Sequence, residues 1–195
     1  MVQPNAAIIA DLLRDSMIDG KVPLLTVTSN SMRPLFQQGD QVGLCPTALQ
    51  HLAPGDVVLL RDGNTFLTHR FCGLRQAESE TTLLTRGDRP LTLDPPWSPN
   101  SYVGRVTTLH RSGRVLDLDQ GVGRWLNQHL GRLARWEAHM FAPGSAGWLA
   151  RWVRRAIFAY AMLVAALCRR LGQRREQSRD GHHESHISVG KDEQP

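Results

Sequence analysis

Between Val22 and Asp119 the chain is cut into short apolar runs rich in Val, Leu and Thr, each closed by Gly, Pro or Asp, with no helical period between them. This texture predicts strands near residues 23–28, 40–45, 56–61, 64–73, 81–86, 101–109 and 113–118. Asp62-Gly63 separates Val57-Val58-Leu59-Leu60 from Phe66-Leu67-Thr68-His69, a two-residue hairpin signal, because such turns favour residues that tolerate positive φ. Seven short strands in succession indicate an all-β domain.

Helical patterns flank this region. Over residues 5–19, Ile8, Ile9, Leu12, Leu13 and Met17 share one face, Asp11, Arg14 and Asp15 the other, and Gly20 ends the segment. Residues 121–140 set Leu126, Leu130 and Leu133 beside Trp125, Trp136 and Met140, and Pro143 to Gly147 interrupt the pattern. A second helix is predicted from Trp148 to about Leu171. Its apolar centre, Ala156 to Cys168, is shorter than the roughly 20 residues needed to span a bilayer. From about Gln173 the chain is polar and expected to be disordered. The expected organisation is a helix over 1–20, a β domain over 21–119, a basic helical region over 120–172 and a tail over 173–195.

Charge narrows the chemistry. Lysine and arginine outnumber acids 23 to 18, but between Arg111 and Arg175 twelve arginines face only Asp117, Asp119 and Glu137. The positive charge is therefore a C-terminal property. The only lysines are Lys21 and Lys191, and arginine stays protonated at any workable pH. A neutral amine base thus has two candidates, one near each end. Three cysteines (Cys45, Cys72, Cys168) at wide spacing exclude a disulfide framework and a CxxC metal knuckle and suit a reducing compartment. No signal peptide, internal repeat, cofactor motif or metal-ligand spacing is visible. His182, His183 and His186 lie in the tail, without the fixed geometry a metal site needs.

The sharpest local feature is Thr28-Ser29-Asn30-Ser31-Met32-Arg33-Pro34-Leu35, closed by Gly39-Asp40. Small polar residues after an apolar strand, then a proline, describe a strand-to-turn junction that can expose Ser31 on a fixed backbone. A serine needs a base to become a nucleophile. With lysine absent from 22 to 190, the base is a histidine, a carboxylate or Lys21 reaching across. His129 and His139 fall in the basic helical region, and His51 and His110 at turns or strand ends. His69 shares a strand face with Leu67 and Phe71, and desolvation there favours the neutral imidazole. A core histidine bonded to a carbonyl would look the same. Asp88 and Asp94 follow the next strand, where each can orient an imidazole, hold a basic partner or form a turn.

In order, Ser31-Met32-Arg33-Pro34 with Gly39-Asp40, Pro54-Gly55-Asp56-Val57-Val58, Thr68-His69-Arg70, Thr85-Arg86-Gly87-Asp88 with Asp94, and Tyr102-Val103-Gly104-Arg105-Val106 resemble the successive boxes of the type I signal peptidases. The likeness covers about residues 22–110 and is nearest the branch of archaea, the endoplasmic reticulum and some spore-forming bacteria, in which histidine replaces the lysine base. It implies a compact, largely antiparallel β domain and a serine endopeptidase that cleaves a leader or signal peptide after small residues. Ser31 would be the nucleophile and His69 the general base. Asp94 would support the imidazole, with Asp88 as a second candidate. The Ser31 N–H and the Ser29 hydroxyl would serve the oxyanion. The implied partner is a peptide or preprotein.

Where that family has an N-terminal membrane span, this chain offers a short helix with Asp11, Asp15 and Asp19. The membrane contact is instead expected over 148–171, where Leu149, Trp152, Val153, Ala156, Tyr160, Leu163, Val164 and Leu167 run along one side, with Arg151, Arg154 and Arg155 at the start of the helix and Arg169 and Arg170 at its end. Packing on the 121–140 helix or another subunit is the alternative. The expected location is the cytoplasmic membrane, or else the soluble cytoplasm with a small precursor as substrate. Arginines interleaved with Trp and Leu, without a reading motif, do not suggest nucleic acid. Two other classes fit the scaffold: a non-catalytic membrane or partner-binding module, and a self-cleaving repressor-like relative. The latter pairs serine with lysine and needs more chain upstream than the thirty residues before Ser31.

Overall fold

The computed structural model describes residues 5–77, 80–90, 92–140 and 148–180. Helix α1 (Ala6–Ile18) begins where two asparagines supply acceptors: Asn5 Oδ1 takes the N–H of Ala7 and Asn64 Oδ1 that of Ala6, at 3.0 and 2.9 Å. It ends at Gly20, whose φ of 77° continues no helix. The buried stripe is Ala6, Ala10, Leu13 and Met17, while Ile8 and Leu12 stand exposed. The expected core face is therefore rotated. The small alanines let the helix sit close to the sheet, and Met17 lies over Gly104, where an added Cβ would come within 3.1 Å of its sulfur.

Seven strands follow: β1 (Leu24–Thr26), β2 (Gln41–Cys45), β3 (Val57–Asp62), β4 (Thr65–Ala77), β5 (Glu80–Arg86), β6 (Tyr102–Arg111) and β7 (Arg114–Asp117). They form one antiparallel sheet in the order β1-β2-β6-β3-β4-β5, with β7 paired to the second half of β6. The mainly β fold with a short N-terminal helix and two C-terminal helices is as the sequence indicates. In the β3–β4 hairpin Asp62 pairs with Thr65, so the turn is Gly63-Asn64, one residue later than Asp62-Gly63 suggests. Gly63, at φ 57°, supplies the left-handed conformation.

The sheet is covered on both faces. Val42, Leu44, Val57, Leu59, Val106 and Leu109 pack toward α1, α2 (Gly121–Met140) and α3 (Trp148–Asp180). Val58, Leu60, Phe71 and Leu83 form a second core with Leu52, closed by Trp97 and Tyr102. β3 is thus buried on both sides, which explains its unbroken Val-Val-Leu-Leu run. α2 sits so close to the sheet that a Cβ on Gly123 would overlap the Asp117 carbonyl at 1.9 Å. α3 buries Ala161, Ala165 and Cys168 and leaves Trp148, Trp152, Tyr160, Leu163 and Leu167 exposed. It continues to Asp180, past the Leu171 at which its pattern fades. Residues 181–195, with His182, His183 and His186, lie outside the described residues. Among the described residues no helix is long and apolar enough to cross a membrane.

Candidate active site

Successive residues of a strand face opposite sides of its sheet, and two of the sequence boxes are split that way. On β4, His69 lies opposite Val58 on the Trp97 side, while Arg70 lies opposite Val57 on the helix side. On β5, Thr85 lies opposite Phe71, and Arg86 opposite Arg70. One face carries the candidate chemistry and the other holds the helices.

His69 is 5% exposed. Its Nε2 stands 3.1 Å from Ser31 Oγ and its Nδ1 2.6 Å from Asp94 Oδ2. The same carboxylate oxygen accepts from the Thr85 hydroxyl at 2.6 Å, and Thr85 Oγ1 accepts from Trp97 Nε1 at 2.9 Å. Thr85 has one proton, and the indole can only donate. The relay therefore runs Trp97 to Thr85 to Asp94. An ionised Oδ2 held by that donor accepts the Nδ1 proton, which leaves the Nε2 lone pair facing the serine. The Asp94 backbone N–H donates to the Thr85 carbonyl at 2.9 Å, fixing the loop that presents the carboxylate.

Ser31 sits half-buried in a loop whose base closes where Val27 N–H meets the Asp40 carbonyl and Gly39 N–H meets that of Val27. Met32, Leu35 and Phe36 fill the core beneath it. The Asp40 carboxylate takes the Gln37 N–H at 2.8 Å and pairs with Arg111. Arg169 of α3 reaches the Pro34 carbonyl at 3.4 Å, and burial, with Arg111 nearby, lowers its pKa. Ser29 Oγ lies 3.2 Å from Ser31 Oγ. The Ser31 carbonyl accepts the Arg89 N–H at 2.9 Å, joining the serine loop to the turn after β5. At Gly87 an added Cβ would stand 3.1 Å from both His69 Nε2 and the Ser31 carbonyl, and 2.8 Å from Pro90 Cδ. Only glycine lets these three approach.

Asp88 corrects its expected role beside the imidazole. It forms a two-point ion pair with Arg70 at 2.7 and 2.8 Å, both side chains 4% exposed. Arg70 further donates to the Gly55 carbonyl and to Asn127 of α2, and Arg86 to the Ala134 carbonyl at 2.6 Å. These buried arginines fasten the β4–β5 hairpin to α2. Lys21 lies at the surface, 3.6 Å from Asp19. Burial raises the pKa of the Cys72 thiol, against the pull of Arg86 and Arg70. Among the described residues no cluster of His, Cys, Asp and Glu is placed to hold a metal ion. Sequence reasoning missed the parts of Thr85, Gly87 and Trp97. The Thr85-to-Asp88 box was visible, but nothing local ties Trp97 to it.

No protein-family model matches the chain. It is similar to the signal peptidase complex catalytic subunit SEC11 of Yarrowia lipolytica, 34% identical over 101 residues that cover 51% of this chain and 56% of that protein. It is also similar to the signal peptidase complex catalytic subunit sec11 of Schizosaccharomyces pombe, 29% identical over 137 residues, 60% of this chain and 68% of the relative. The chain thus spans little more than half the length of the first of them. It resembles signal peptidase catalytic subunits over part of its length, and its antiparallel sheet carries the ordered boxes around Ser31, His69 and Gly87.

Proposed function

We propose that this chain is a serine endopeptidase of the signal-peptidase type. The observation that carries the reading is the line from Ser31 Oγ through the His69 ring to Asp94 Oδ2, with gaps of 3.1 and 2.6 Å. In this reaction Ser31 Oγ attacks the scissile carbonyl carbon while His69 Nε2 takes its proton. Asp94 stabilises the imidazolium. The Ser31 N–H and the Ser29 hydroxyl donate to the oxyanion. His69 returns the proton to the leaving amine, leaving an ester on Ser31. Water, deprotonated by His69, then releases the acyl group and restores the serine. Likeness to the signal peptidases supports a leader or signal peptide cleaved after small residues.

The exposed side of α3, with Trp152, Tyr160, Leu163 and Leu167 beside Arg170, supports peripheral docking on an anionic membrane surface. The direct test is turnover of a fluorogenic peptide with alanine before the scissile bond. Ser31→Ala and His69→Ala should each abolish it with unchanged circular dichroism. Turnover by purified Ser31→Ala would remove the serine from the mechanism.

A further inference from the structure

A groove of about 380 Å³ lies beside the serine loop. Its floor is apolar, with Leu130 and Leu133 from α2 and Ile157 and Phe158 from α3. Its rim is cationic, made of Arg33, Arg89, Arg151, Arg154 and Arg155. The two carboxylates in its lining are already engaged, Asp88 by Arg70 at 2.7 Å and Glu137 by Arg154 at 3.0 Å. Arg33, Arg89, Arg151 and Arg155 therefore have no carboxylate partner among the described residues. Two of them are steadied by rings: Arg89 lies 5.9 Å from the Phe158 centroid and Arg155 5.6 Å from that of Trp152.

The groove is continuous with the nucleophile's own loop. Arg33 follows Ser31 by two residues, and the Arg89 N–H donates to the Ser31 carbonyl. An extended peptide advances about 3.3 Å per residue, so side chains a few residues from a carbonyl held at Ser31 fall within reach of this rim. We infer that the groove is a specificity subsite for an acidic segment, Asp or Glu with an apolar neighbour, lying close to the scissile bond. This inference rests on the peptidase reading above.

A lipid headgroup shares the anionic chemistry, but the placement favours peptide. Arg151, Arg154, Phe158 and Ala161 recur at helical spacing on the side of α3 turned away from exposed Trp152, Tyr160, Leu163 and Leu167. A helix lying on a membrane through the second set turns the first set away from it.

The test uses the full-length Ser31→Ala protein and labelled, uncleaved decapeptides with one alanine site. Asp-Glu pairs are placed on either side of the site or replaced by Gln-Gln. By anisotropy at low salt, the acidic peptide on the preferred side should bind at least tenfold more tightly than its Gln match. That ratio should shrink toward one at 0.5 M NaCl, where charges are screened within about 4 Å, and in the Arg151→Gln/Arg155→Gln variant, whose substitutions are at exposed positions. Equal affinities for acidic and Gln peptides on both sides would overturn the inference. So would an unchanged ratio in the arginine variant, or loss in that variant only of binding to vesicles with 30% anionic lipid. Turnover of the alanine peptide by the wild-type chain is scored separately. The catalytic reading can therefore fail while the affinity ratio still decides the groove.

Discussion

Replacing Asp94 by asparagine isolates one contribution to the proposed mechanism. In the structure a single oxygen, Oδ2, receives both the Thr85 hydroxyl at 2.6 Å and His69 Nδ1 at 2.6 Å. Thr85 is held by Trp97 and can only donate its proton to that oxygen. An asparagine oxygen keeps the same place and still accepts from both, so Nδ1 stays protonated and the Nε2 lone pair still faces Ser31. What disappears is the negative charge beside a developing imidazolium. Unit charges about 4 Å apart at an effective dielectric of 20 interact by about 4 kcal/mol. Partial solvent access to Asp94 trims this toward about 3, a loss in kcat between about 10² and 10³. A ring turned to the wrong tautomer would lose about 10⁴. Thr85→Val removes the donor that orients the amide, so Asp94→Asn in that background should approach the larger figure. Steady-state kinetics on an alanine-site peptide, with circular dichroism to confirm folding, measure both. Asp94→Asn within threefold of wild type would refute the electrostatic part of the mechanism.

Asp88 should behave differently. Arg70→Met leaves a carboxylate buried without its partner and should cost about 3–5 kcal/mol of stability, read as a lowered denaturation midpoint; an unshifted midpoint would contradict the assigned structural role. Gly87→Ala pushes a methyl against His69 Nε2, the Ser31 carbonyl and Pro90, and should lower kcat at least tenfold while the fold persists, with wild-type kcat showing that the approach is not needed. The raised pKa of Cys72 means less thiolate at neutral pH than in a free peptide. Its alkylation by iodoacetamide should therefore be slower than that of a model thiol and should accelerate only at higher pH.

The β architecture was legible because its signals are local: alternation and Gly/Pro/Asp punctuation placed each strand within a few residues. The β3–β4 turn slipped by one residue because Asp62-Gly63 and Gly63-Asn64 are both good turn pairs, and only the cross-strand register chooses between them. The core face of α1 was misjudged because hydrophobicity favours Ile8 and Leu12, whereas the sheet surface accepts the smaller Ala6 and Ala10. At the site, Ser31, His69 and Asp94 stood out in their own segments. The separate destinations of Asp88 and Asp94 depend on which sheet face each neighbour occupies, and Trp97 joins through contacts that no local pattern encodes.

The most direct measurement is mass spectrometry of the protein quenched during turnover of an alanine ester. The account predicts an acyl adduct on the fragment containing Ser31, missing in Ser31→Ala and formed far more slowly in His69→Ala. An adduct on another residue, or one that forms as quickly without the imidazole, would contradict it.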